Sequence, residues 1–150
     1  MVWVGTERPV AAAPCESPYR DAGPPAVAIR RRVPSQCVTY IGSHEGCGCG
    51  FNSSDVEWQG FDDEAELAPL VGALLDSERE KYLAERGSRE RLHAIVASAL
   101  ADGSVFVHAC WAGDEGKTPA EVEEVDASWL LTRTSPLKEG VQYRVTRAHP

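Results

Sequence analysis

Apolar residues recur along this chain with two different periods, and the switches between them mark out its elements. Val2, Trp3 and Val4 begin a run rich in β-branched and aromatic residues, which predicts a short strand over 2–6. Residues 26–33 read as a second strand, stopped by Pro34. In residues 37–43 (CVTYIGS), Val38 and Tyr40 share one face and Thr39 and Ile41 the other. Apolar residues on both faces predict an inner strand. The period then lengthens. Asp63 caps a helix, with Glu66 three residues on, and Leu67, Leu70, Val71, Leu74 and Leu75 form its apolar face. Pro69 marks a start or a bend in it. Arg86-Gly87-Ser88 ends this helical block with a glycine and opens the next with a cap. Leu92, Ile95, Val96, Ala99 and Leu100 repeat the stripe as far as Asp102 and Gly103. Period two returns in residues 104–111 (SVFVHACW), with Val105, Val107, Ala109 and Trp111 on one face and Phe106, His108 and Cys110 on the other. Residues 122–126 predict a short strand, 127–132 a short helix and 141–147 a closing strand.

Between 9 and 25 the chain carries Pro9, Pro14, Pro18, Pro24 and Pro25 and shows no period, which predicts an irregular surface segment. The elements together predict an α+β (α/β-like) fold, a mixed β-sheet with two main helices packed on it. They read as a single domain over 1–150, with a Pro-rich irregular loop at about 8–25 and a Gly/Cys-rich loop at about 42–60. Composition agrees with this, since 150 residues at 43% hydrophobic can bury roughly 70% of the unfolded surface without a staple.

Charge narrows the partners. Acidic residues outnumber basic ones 23 to 15, a net charge of -8, which argues against a general nucleic-acid or anionic-membrane binder. Arg30, Arg31 and Arg32 would alternate between two faces of a strand and read as a solvated edge. A protein partner or homo-oligomer is left open. The chain has neither the basic start and apolar core of a secretory signal nor about 20 consecutive apolar residues, so a cytoplasmic location is expected. Thiols stay reduced there. The five cysteines, Cys15, Cys37, Cys47, Cys49 and Cys110, then read as core residues, metal ligands or redox thiols rather than as a disulfide framework.

Their positions sort them. Cys47 and Cys49 alternate with Gly46, Gly48 and Gly50 just after His44, in a loop whose glycines let the backbone turn tightly and approach a ligand. Thiolate and imidazole are the donors that zinc takes. If the strands at 38–43 and 104–111 run parallel, their C-terminal ends open on one edge of the sheet, where ligands gather in open α/β sheets. That topology brings Cys110 to the loop, with His108 in reserve, and leaves Cys37 about 20 Å away at the other end of its strand. The metal reading is therefore His44, Cys47, Cys49 and Cys110 around zinc. Two readings compete with it. A thiol enzyme would use Cys47 or Cys49 as redox or nucleophilic group, with His44 lowering the thiol pKa. A non-catalytic interaction module would present the loop and Trp58 to a partner protein. The plainer alternative takes the cysteines as small core residues. Asp114 and Glu115 lie in an acidic turn that reads as solvent-exposed, His93 as a surface or boundary residue, and Trp3, Trp58, Trp111 and Trp129 as core anchors.

Residues 38–51 (VTYIGSHEGCGCGF) resemble the signature of a small uncharacterised bacterial protein family. The resemblance covers most of the chain: a short N-terminal strand, the GSHEGCGCGF loop, paired helices, then a strand ending in Cys110-Trp111 and the acidic turn with Asp114 and Glu115. It implies membership of that bacterial family and brings no activity, substrate or cofactor with it.

Overall fold

The computed structural model describes residues 1–10, 24–43, 51, 76–131 and 137–147. Among them, alternation produces the strands β1 (Val2–Thr6), β2 (Cys37–Ile41), β3 (Val105–Ala109), β4 (Glu121–Asp126) and β5 (Val141–Thr146). They form one mixed sheet in the order β2-β1-β3-β5-β4, antiparallel at each step until β5 and β4, which run parallel. Two helices, α1 (Pro24–Arg30) and α2 (Asp76–Ala99), pack on opposite faces of this sheet and make it an α+β fold. No helix among the described residues is long and apolar enough to cross a membrane.

The faces are those the alternation predicts. Val2, Val4, Ile41, Val105, Val107 and Ala109 pack with Leu92, Val96, Ala99 and Leu100 of α2 in the larger core. Trp3, Val38, Tyr40 and Cys110 face the other way and pack with Ala26 and Ile29 of α1 and with Val33. Each such aliphatic side chain contributes about 1.5–3 kcal/mol by leaving water. Beneath α1 the fit is tight at Gly5, where a Cβ would stand 2.3 Å from Val33 Cγ1 and 2.6 Å from Ser35 Oγ. Only a residue without a side chain lets the 33–35 segment cross β1 there.

Four expectations are corrected. Of residues 26–33, which read as a strand, 26–30 instead continue the helix α1, which opens at Pro24 and Pro25, and 31–33 form the turn that leaves it. Prolines suit a first turn because its N–H groups have no helical partner to lose. Ala26, Ile29 and Val33, buried at spacings of three and four, supply the apolar face, and Arg30, Arg31 and Arg32 fall at its exposed end. The helical block does not break at Arg86-Gly87-Ser88. Ser88 Oγ donates back to Ala84 O at 3.0 Å instead of capping a new helix, and α2 runs on. Its buried stripe of Tyr82, Glu85, Arg89, Leu92 and Val96 crosses the glycine without interruption, so packing outweighs the roughly 1 kcal/mol that an interior glycine costs. β2 is an edge strand, not an inner one. Burial of both its faces reports cover above and below the sheet, which says nothing of a neighbour at each side. Trp111, expected in the core, is 63% exposed, because β3 ends at Ala109 and the alternation stops with it.

Residues 63–75 of the helical block predicted to run from Asp63 to Arg86-Gly87, together with Trp58, Cys15 and the loop residues 44–50, lie outside the described residues. Asp126 caps the 3-10 turn Ala127–Leu131 by accepting from Ser128 N at 2.7 Å and from the Ser128 hydroxyl.

Candidate functional site

The sheet register defines the edge at which chemistry can collect. β1 is antiparallel to both β2 and β3, so β2 and β3 run in the same direction with β1 between them. Ile41, Val2 and Ala109 stand in one row across the three strands, and Cys110 N extends the pairing with a bond to Met1 O at 2.9 Å. Gly42 and Cys110 each follow that row by one residue, two strand spacings or about 10 Å apart. The preceding row on the α1 face is Tyr40, Trp3, His108 and Gln142. In it Trp3 and Tyr40 make an edge-to-face pair with centroids 5.2 Å apart, and Gln142 Nε2 donates to Arg32 O at 3.2 Å, which closes the end of α1 over the sheet.

His108 and Cys110 share this face and line a cleft of about 330 Å³ with Trp111, Asp114, Lys117 and Glu139. His108 is 2% exposed, and its Nδ1 lies 3.1 Å from Val141 O. Burial holds its pKa below the ordinary 6.5, and the carbonyl contact opposes that only in part. The ring is therefore neutral at pH 7, with the proton on Nδ1 donated to the carbonyl and Nε2 left as the acceptor nitrogen. Cys110 is buried and carries a free thiol. Burial pushes the thiol up to about 11; the N-terminal ammonium opposes this, while Glu115 and Asp114 add to it. Trp3 Nε1 is buried without a hydrogen-bond partner among the described residues, and its influence on the nearby thiol is the smallest of those acting there. A thiol so held is a poor nucleophile on its own.

Of the predicted site residues, Cys110 lies at the expected end of its strand, while His44, Cys47 and Cys49 lie outside the described residues. Cys37 pairs with Thr6 at the far end of β2, away from this edge. Among the described residues, no three of His, Cys, Asp and Glu come together as a metal-holding group. The acidic turn differs from expectation in one residue. Asp114 forms an ion pair with Lys117 at 2.8 Å, but Glu115 is buried. Its Oε2 accepts from Gly113 N at 3.0 Å, and its Oε1 has no partner among the described residues.

Two residues with no role in the sequence reading hold the ends of the 44–50 loop. Arg91 donates to Gly42 O at 2.8 Å and Arg89 to Phe51 O at 2.7 Å, so α2 grips the chain on both sides of the segment. Phe51 itself is fully buried in the α2-side core. The signal for Arg89 is present in the sequence, since it falls on the apolar stripe of a helix where a cation needs an acceptor. No family model matches the chain, and no curated protein or solved structure is found to be significantly similar to it.

Proposed function

We propose that this is a soft-metal-binding protein, with zinc held by His44, Cys47, Cys49 and Cys110. One observation carries the reading: β2 and β3 run the same way on either side of β1, so Gly42 and Cys110 leave the sheet at the same edge. The five residues from Gly42 to Cys47 can span up to roughly 17 Å, more than the gap of about 10 Å between the two strands. The grip of Arg91 on Gly42 O supports it further by tying the start of the loop to that edge. Zinc favours thiolate and imidazole donors, and a bound cation draws the proton from a thiol that burial alone would keep neutral. The reading takes the chain as a cytoplasmic protein, because a reducing compartment keeps these thiols available, and as a member of the small bacterial family its GSHEGCGCGF loop resembles.

Metal analysis of protein purified without an affinity tag tests it. One zinc per chain is expected, with most of it lost in Cys47→Ser and in Cys110→Ser. Folded protein that stays metal-free after expression in zinc-supplemented medium overturns the proposal.

A further inference from the structure

We infer that this protein has a second binding site, a groove that takes a small amphipathic carboxylate, with Arg91 on the acid group and apolar walls along the tail. The groove lies between the 6–10 segment that leaves β1 and the last turns of α2, and none of the proposed zinc ligands lines it. It goes beyond the metal reading and stands or falls apart from it.

The groove holds about 640 Å³, within the range of small-molecule sites, roughly 300–1,000 Å³. Its α2 wall follows from sequence spacing. Arg91, Ala94, Ile95, Ser98 and Ala99 recur at three and four residues, a stripe beside the buried one of Leu92 and Val96. Three of those side chains are small, which leaves room between the helix and Pro9 and Val10. Val10 and Ile95 are only partly buried against the core, so apolar surface still faces the groove. Charge is unevenly placed along it. At the far end Arg8 pairs with Asp102 at 3.1 Å, and the two charges cancel. At the near end, about 12 Å along the helix from Ala99, half-buried Arg91 donates from Nη2 to Gly42 O, a neutral acceptor, and no carboxylate meets it among the described residues. One guanidinium charge thus stands open at one end of an apolar trough, in a chain of net charge -8. A partly desolvated cation gains from an anionic partner, and the planar guanidinium fork matches a carboxylate. A phosphate dianion would call for a second open cation, and Arg8 is already neutralised. Head-group contact and walls together suit a monocarboxylate with a hydrocarbon tail.

Titration of the full chain with decanoate, kept below its micelle-forming concentration, tests the assignment by calorimetry and by backbone amide resonances. One equivalent is expected to bind and to move the resonances of Arg91, Ala94, Ile95 and Ser98. Acetate has the acid without the tail, and decyltrimethylammonium has the tail with a cation; both are expected to bind at least tenfold more weakly. Arg91→Gln, whose side-chain amide can still donate to the Gly42 carbonyl, is expected to lose at least tenfold in decanoate affinity. Ala94→Phe fills the groove from an exposed position and is expected to abolish binding, which keeps the test decisive if Arg91→Gln fails to fold. No saturable binding of decanoate, equal binding of decyltrimethylammonium, or parent-like binding by folded Arg91→Gln or Ala94→Phe overturns the proposal. Resonance changes confined to residues away from the groove do so too. Zinc content of the same preparations reads the metal proposal separately, so the failure of one is distinguishable from the failure of the other.

Discussion

His108 and Cys110 are neighbours whose burial acts on opposite protonation equilibria, and metal-free protein makes both measurable. For Cys110 the folded-state pKa is raised, so the folded chain holds that proton more tightly than the unfolded one. Its contribution to stability is intact below the ordinary value of 9.0 and is lost as pH rises toward about 11. The same thiol is expected to resist alkylation at pH 8 and to react only as the pH approaches that upper value, read by mass mapping of the Cys110 peptide. Alkylation of Cys110 at pH 8 as fast as that of half-buried Cys37 contradicts its burial. His108 works in the opposite direction. Its folded pKa is lowered, so the unfolded chain takes the proton first and stability declines as pH falls through 6.5. Denaturation midpoints at several pH values are expected to show this decline in the parent and a shallower one in His108→Gln.

The elements make their own test through two glycines. Gly87 sits on the exposed side of α2, and a Cβ there meets nothing within 4 Å. Gly87→Ala is therefore expected to stabilise the chain by about 0.5–1 kcal/mol, by removing backbone freedom from the unfolded state. Gly5 is the contrary case, since its Cβ would collide with Val33 and Ser35 in the segment crossing β1. Gly5→Ala is expected to destabilise by about 1–3 kcal/mol through overpacking, and equal midpoints for the two variants in urea would refute this contrast. At the far side of the sheet β4 is an edge strand carrying Glu121, Glu123, Glu124 and Asp126. Glu123 meets Lys138 at 2.9 Å and Glu124 meets Arg144 at 3.8 Å. Such exposed pairs stabilise little, and charge along an edge serves instead to discourage pairing with another strand.

Across the whole molecule, α1 and α2 cover opposite faces of one thin sheet, and side-chain bonds to backbone tie distant segments together. Arg32 Nε donates to Gly116 O at 2.8 Å and Gln142 Nε2 to Arg32 O, which joins α1, the acidic turn and β5 on the cleft side. Arg89 and Arg91 do the same for the chain on either side of the 44–50 loop. Arg89→Met keeps the buried stem but leaves the Phe51 carbonyl without that donor, so a loss of about 1–3 kcal/mol is expected in denaturant unfolding. Arg91→Ala, at a half-buried position, is expected to cost less. An Arg89→Met midpoint within error of the parent contradicts the anchoring role.

The faces of the strands are legible in the sequence, because side chains alternate by local backbone geometry alone. Val38 and Tyr40 part from Ile41, and Val105, Val107 and Ala109 part from Phe106 and Cys110, as the period of two requires. The apolar stripe from Leu92 to Leu100 is equally local. His44, Cys47, Cys49 and Cys110 are visible in the sequence as candidate donors, while the orientation of the His108 ring is set by the Val141 carbonyl, 33 residues away, which engages Nδ1. Long-range contacts decide the rest. The helix at Pro24–Arg30, the continuity of α2 through Gly87, the place of β1 between β2 and β3 and the burial of Glu115 all depend on what packs against them. Periodicity tells which side of an element faces inward; only the folded chain settles which partners meet it there, since hydrogen bonding across a sheet and packing against it join residues that local pattern does not relate.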